Sequence, residues 1–574
     1  MAGGIVVDGT GASAQAADIA LQDGRIAAVG RKLGDARQRI EAGGLLVTPG
    51  FIDIHTHYDA QVTWDERLEP AVWHGVSTVI MGNCGVGFAP ARASDHAYLI
   101  DMMESVEDIP APAMQSAMPW NWRSYPEYLA AVGAKARTID VASMIPHGTL
   151  RAYVMGAQRA TQKPSRAELA AMSDLVREAV AAGAVGLSTS RTILHTTGDG
   201  TILPGTFADE EELVALASAV QKGGGGVLEV SPASTAFPEP TGYLEDVELL
   251  IRVARRSGCT IVFSLLQSNH APDDYCEILK RIDKTTAEGL RIHPVVATRP
   301  VATLLTFMGK SNPFHSLASY GPLREMAFED RIAALRDPAL RQKLITEENP
   351  NRRGVELLFA SAGFWSQTFP LRASTDYYTT AEGTVQAIAE RTGQDPRAVA
   401  YDMMMENGGR GILMYAACNW ARRTRDDLHA MVTHPATIVG LGDGGAHVSA
   451  TVDVSQPTTF LADWARDAGP THRHGISVEA AVRKLTHDNA EVFGLTDRGI
   501  IAPGKKADLN LIDLARLRVE MPVMVYDLPC GYGRLDQRAH GYAATIIGGQ
   551  IIQREGSLTG TLPGRLARRI AAAA

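Results

Sequence analysis

The chain's 574 residues hold 55 Lys and Arg against 64 Asp and Glu, a net charge of -9 and a pI near 6.0, with no long basic run before Arg565, Arg568 and Arg569. That balance gives no electrostatic footprint for nucleic acid. No uninterrupted apolar stretch of about 20 residues occurs, and the first residues lack a basic, apolar leader, so the sequence predicts no membrane segment and a cytoplasmic protein.

The five cysteines, Cys84, Cys259, Cys276, Cys418 and Cys530, are odd in number and unpaired in spacing, which fits a reducing compartment. The N-terminal 50 residues read as short strands, with Asp23-Gly24 as a two-residue hairpin turn between β-like runs. Similar runs recur near residues 503–513 and 544–550. The expectation is a β-sandwich domain from residues 1–50 and 501–560, made by both ends of the chain.

Residues 47–59 are the first stretch with chemistry in it. An apolar run enters through Pro49-Gly50, and alternation from Phe51 onwards sends His55 and His57 to one face, where two imidazoles can share a metal ion. Asp53, two residues earlier on that face, could orient one ring. A pair of His residues that merely packs is the competing reading.

From about residue 140 the pattern alternates helix and strand. Ser165 and Glu168 form a capping box that opens an amphipathic run, and a strand follows at 185–188. Helix and strand pairs follow at 209–222 and 226–230, 244–256 and 259–266, and 273–288 and 291–297. Strands recurring roughly every 30 to 40 residues have the rhythm of βα units. The expected fold class is α/β, a (β/α)8 barrel from residues 51–302 and 431–500. Residues 303–430 lose the rhythm and are rich in Pro, Arg and aromatic residues, so they are expected to form an inserted subdomain or lid. The barrel resumes in a β-branched run that ends at Asp443, where barrel chemistry sits.

Pro49-Gly50-Phe51-Ile52-Asp53-x-His55-Thr56-His57, with Gly82-Asn83-Cys84-Gly85, Pro146-His147-Gly148-Thr149, Gly186-Leu187-Ser188-Thr189-Ser190 and Gly442-Asp443-Gly444-Gly445-Ala446-His447, resembles the amidohydrolase superfamily, in particular its D-aminoacylase (N-acyl-D-amino-acid deacylase) branch. The resemblance spans nearly the whole chain. It implies a metal-bearing barrel, His55 and His57 as ligands from strand 1, Cys84 as a thiolate ligand from strand 2, and Asp443 as the catalytic Asp of strand 8. It also implies histidines on strands 5 and 6. Here those strands, near 226–231 and 261–267, contain none. The expectation is therefore one tightly bound divalent ion, Zn2+, held by His55, His57 and Asp443 with Cys84 or Glu229 nearby.

Glu229 lies in an apolar strand where an unpaired carboxylate is costly, so it is a candidate for metal or substrate contact. His147 at a strand end is a candidate oxyanion donor and catalytic residue. Arg191, His195, Gln267 and Arg299 follow strands and are candidates for substrate binding, the guanidinium groups for a carboxylate. His447 is a candidate support for the metal site. The expected reaction is hydrolysis of a C–N amide bond in a small N-acylated amino acid or related amide, with Asp443 carrying a proton to the leaving nitrogen. Cleavage of a cyclic amide, lactone or ester and a non-catalytic binding protein are the alternatives; assembly into a homo-oligomer is left open.

Overall fold

The computed structural model describes the chain except residues 234–241, 351, 353, 362, 374–376 and 570–574. Eight parallel strands line the barrel: β1 (Phe51–Asp53), β2 (Val76–Met81), β3 (Asp140–Ser143, continued by Ile145–Pro146), β4 (Gly186–Ser190), β5 (Val227–Ser231), β6 (Thr260–Ser264), β7 (Ile292–Val296) and β8 (Ile438–Val439). Each pairs with the next in parallel register from β1 to β3 and again from Ile145–Pro146 to β8. The ring closes where a parallel bridge joins Thr56 to Gly444. The expected (β/α)8 barrel is the observed fold.

The barrel strands are buried on both faces. Their inward side chains Ile52, Ile80, Ala142, Val185, Val227, Val262, Val295 and Ile438 form a core of their own, as an all-parallel sheet covered by helices requires. The covering helices are amphipathic for the same reason. Arg166–Ala181 begins with the reciprocal Ser165 and Glu168 cap read from the sequence, and it buries Met172, Val176, Ala179 and Val180.

Strands from both ends of the chain share one eight-stranded sheet. Leu46–Pro49 lies between Gly4–Val6, in parallel, and Leu509–Ile512, antiparallel. The Asp23-Gly24 turn joins Gln15–Gln22 to Arg25–Gly30 with φ of 51° and 75°, the two left-handed positions of a type I′ hairpin. Between β7 and β8, Val301–Leu305, Leu413–Cys418 and Thr368–Pro370 make a separate three-stranded sheet. It packs on a second core that includes Phe307, Phe314, Tyr320, Phe364 and Tyr401.

The barrel and the terminal sheet are clamped at Asp140 on β3. Its carboxylate accepts from Arg498 Nη1 at 2.5 Å, Lys506 Nζ at 2.6 Å and the Arg565 N–H at 2.7 Å. Burial pushes this carboxyl up, but Arg498 and Lys506 more than offset it and hold it below the usual range. Such a group stabilises the fold above its unfolded pKa, and that contribution is lost as pH falls through the folded value. Asp140→Ala removes the central anion from buried Arg498 and half-buried Lys506, which keep Asp497 and Asp508, and should cost about 1–3 kcal/mol, read as a lower urea midpoint at pH 7. The gap from wild type should stay constant down to pH 5 and shrink only below about pH 4. A gap that already narrows between pH 7 and 5 would place the clamp elsewhere.

Candidate metal centre

At the C-terminal rim of the barrel β1 ends at Asp53, sooner than the alternation suggests, and the chain runs on through Ile54 to His57 pinned from both sides. The Thr56 N–H donates to the Ile80 carbonyl and the His57 N–H to the Gly444 carbonyl. In return the Asp443 N–H donates to the His55 carbonyl at 3.0 Å. Asp53 accepts from the His55 N–H at 3.2 Å, and burial raises its carboxyl to about 7. Only glycine fits at 442, because a Cβ there would lie 2.0 Å from Asp53 Oδ2.

Four donor atoms converge in front of this rim. His55 Nε2 lies 3.4 Å from Cys84 Sγ and 3.4 Å from Asp443 Oδ1; His57 Nε2 lies 3.8 Å from the same Oδ1. The ligand atoms of His55, His57 and Cys84 all fall within 4.8 Å of one another. Cys84, Asp443 and His447 hold left-handed φ values of 56°, 49° and 45°. Such conformations persist where the surroundings over-determine them, and they gather at functional sites.

Behind the rings stand two carboxylates. Glu229 Oε1 is 3.7 Å from His55 Nδ1, and Glu107 Oε1 is 3.3 Å from His57 Nδ1. Glu229 Oε2 also accepts the Cys84 N–H at 3.2 Å. A carboxylate at the far nitrogen of an imidazole is the usual support for a metal-ligating histidine. The structure thus puts Glu229 behind His55, away from the convergent face on which it was expected as a ligand.

The electrostatics favour a cation. Burial, with His447 adding, pushes His55 down to about 3, and burial with His55 holds His57 well below its ordinary value, so both rings are neutral and able to ligate. Burial lifts Glu229 to about 8, and burial with Asp443 lifts Glu107 well above the carboxylate range. Burial, then Glu229 and Glu107, pushes the Cys84 thiol up, and burial with Asp453 and Asp53 raises Asp443. No Lys or Arg is among the described residues lining the cavity. Glu107 Oε1, Glu229 Oε1 and His57 Nδ1 are buried without a hydrogen-bond partner. A divalent cation fits this donor set: it would supply the positive charge that lets the thiol and carboxylates ionise.

The cavity in front of the four donors has a volume of about 190 Å³. Leu194, Leu266, Val301 and Leu441 give it apolar walls. His195 lines it with Nδ1 bonded to Ser190 Oγ at 2.9 Å, and His447, with Nε2 3.5 Å from Glu107 Oε2, sits beside it.

The other expected site residues are engaged elsewhere. His147, the first residue of a helix, has both nitrogens occupied, by Thr189 Oγ1 at 2.9 Å and Glu212 Oε1 at 3.0 Å, and Arg151 pairs with the same Glu212. It is a fully buried brace in the helix layer. Arg191 pairs with Asp246 at 2.7 Å. Arg299 is fully buried against Asp453, Ser455 and the face of Tyr377. Gln267 donates to Asp427 and accepts from the Ala421 N–H. The guanidinium groups turn inward because buried Asp246 and Asp453 would otherwise be unpaired charges.

Two participants escaped the sequence reading. Ser231, the last residue of β5, meets Cys84 Sγ at 3.1 Å. Glu107 closes the helix His96–Glu107. Its signal was periodicity, since Leu99, Met103 and Glu107 recur at intervals of four and so share the buried face.

The profile of the Amidohydrolase family matches residues 38–553. The D-aminoacylase of Alcaligenes xylosoxydans xylosoxydans is 26% identical over 581 residues, covering 100% of this chain and 98% of that protein. A crystal structure of D-aminoacylase superposes with a TM-score of 0.65 at 23% identity, covering 99% of both chains. That of the N-acyl-D-glutamate deacylase from Bordetella bronchiseptica, complexed with zinc and a phosphonate mimic of the tetrahedral intermediate, gives 0.64 at 23%, covering 99% and 98%.

His147→Ala removes the buried partner of Thr189 and one of two held by Glu212, which keeps Arg151, and should lower stability by about 1–3 kcal/mol in thermal or urea unfolding. Divalent-cation uptake per folded molecule should be unchanged. Loss of uptake at full folding would put His147 back in the metal centre.

Proposed function

The chain belongs to the amidohydrolase family, hydrolases of C–N bonds other than peptide bonds, and we propose that it deacylates small N-acylated amino acids or closely related amides with one divalent cation held by His55, His57, Cys84 and Asp443. The convergence of those four donor atoms on one face of a buried cavity carries this reading. Relatives named D-aminoacylase, N-acyl-D-aspartate deacylase and N-acyl-D-glutamate deacylase support the substrate class and make N-acyl-D-amino acids the first to test. Nitrogen and thiolate ligands with a carboxylate suit zinc. No helix among the described residues is long and apolar enough to cross a membrane. The five free, scattered cysteines fit the reducing, cytoplasmic setting read from the sequence.

A divalent cation supplies Lewis acidity towards a carbonyl oxygen and activation of water near neutral pH. The chain's own residues supply the rest. Asp443 is the acid of the cluster that faces the cavity, its side chain 20% exposed against 1% for Glu107 and 3% for Glu229. It is therefore the group placed to take a proton from the attacking water and hand it to the departing nitrogen. The apolar walls receive the acyl chain and exclude solvent. With Arg191 and Arg299 committed to Asp246 and Asp453, His195 is a polar group of the cavity wall that can meet a substrate carboxylate, through the ring nitrogen that Ser190 does not hold.

Two measurements test the reading. Protein purified without chelator should carry about one equivalent of metal by elemental analysis, and His55→Ala and Cys84→Ser should each lose it while staying folded. Two equivalents surviving dialysis would show that other groups, Glu229 first among them, complete a second site. Asp443→Asn should lower amide hydrolysis per loaded site by about 10²- to 10⁴-fold. An activated ester, whose leaving group needs no proton, should be spared relative to the amide. Near-wild-type turnover on both substrates would assign the base elsewhere.

A further inference from the structure

Glu107 takes no part in the chemistry described above, yet it touches both halves of the metal centre. It closes the helix His96–Glu107, and with 1% of its surface exposed it lies in the lining of the cavity beside the donor cluster. One carboxylate oxygen lies 3.3 Å from His57 Nδ1 and the other 3.5 Å from His447 Nε2. Its main-chain carbonyl accepts the His447 N–H. The next residue, Asp108, leaves the helix at a left-handed φ of 53° and accepts from Ser449 Oγ at 2.5 Å. One helix end thus holds the histidine from the β1 rim and the turn that follows Asp443.

The contact fixes the chemistry of the His57 ring. When Nδ1 carries the proton and donates it to Glu107 Oε1, the lone pair sits on Nε2, the nitrogen that faces Asp443 Oδ1 and the convergent site. A negative acceptor also makes that Nε2 a stronger donor to a cation. Among the described residues Nδ1 has no other partner: it is buried without a hydrogen bond of good geometry, as is Glu107 Oε1.

We propose that Glu107 is a positioning residue of the cation site, setting the tautomer and aim of His57 and joining the β1 and β8 rims. This rests on the reading that His57 holds a cation. Aspartate at 107 keeps the charge with one methylene less reach, and glutamine keeps the shape without the charge.

The experiment is a cobalt(II) titration of metal-free protein, followed by the thiolate charge-transfer and d–d bands and by competition with a chromogenic chelator. Wild type should bind one cobalt and show the thiolate band; if that band is missing, the cation site and this inference fall together. Given the band, Glu107→Gln should keep the metal-free unfolding midpoint, weaken cobalt binding by about 10- to 100-fold and shift the d–d bands. Glu107→Asp should recover most of the affinity. Wild-type affinity and spectrum in Glu107→Gln would overturn the proposal while leaving the cation site standing. Should Glu107→Gln unfold, Glu107→Asp decides: restored stability with restored affinity supports the role, and restored stability with affinity still lost by 10-fold or more, beyond the reach of one methylene, refutes it.

Discussion

The seam at which the first barrel strand meets the last is the constraint on which the functional half of this molecule depends. Two main-chain hydrogen bonds cross it, from the His57 N–H to the Gly444 carbonyl and from the Asp443 N–H to the His55 carbonyl. They are laid between the residues that would hold the cation. Closing the barrel and assembling the site are therefore one event: a register slip of a single residue at the seam would turn Asp443 away from both imidazoles. The glycine at 442 belongs to the same constraint, since it alone lets the strand exit lie against Asp53.

Around that seam the chain has gathered acids instead of neutralising them. Glu107, Glu229, Asp443 and the Cys84 thiol are each pushed upward by burial first, and then by neighbouring acids: Asp443 acts on Glu107 and Glu229, Glu229 and Glu107 on Cys84, and Asp453 and Asp53 on Asp443. The cations nearest in sequence to the rim, Arg191 and Arg299, are locked into pairs with Asp246 and Asp453. A site poised in this way is best satisfied by an ion from solution, and the supporting carboxylates behind the histidines would become fully effective only with that ion present.

Much of this was legible in the sequence because it follows from periodicity. The βα rhythm predicted the barrel, the Asp23-Gly24 pair predicted a hairpin, and the His-x-His spacing predicted two rings on one face. What period-based reasoning could not deliver was direction at strand exits. Arg191, Arg299, Gln267 and His147 all sit where a barrel presents its functional groups, and each turns to a buried partner that lies far away in sequence: Asp246, Asp453, Asp427 and Glu212. Pairings of that kind are set by tertiary packing. Glu107 was hidden in the opposite way, by lying in a helix that carries no motif.

The terminal sheet has a consequence for how the chain comes into being. Leu46–Pro49 is sandwiched between Gly4–Val6 and Leu509–Ile512, so during synthesis one side of it stays open until residues 509–512 have emerged. At ribosomal rates of about 5–20 residues per second, that leaves an apolar β-edge waiting for tens of seconds. Its immediate continuation is β1, the strand that carries Asp53 and leads to both histidines. The barrel's first strand thus grows from an anchor whose second neighbour is made long after it, and the nascent protein must keep that edge from pairing with a neighbouring copy until its own distant strand arrives.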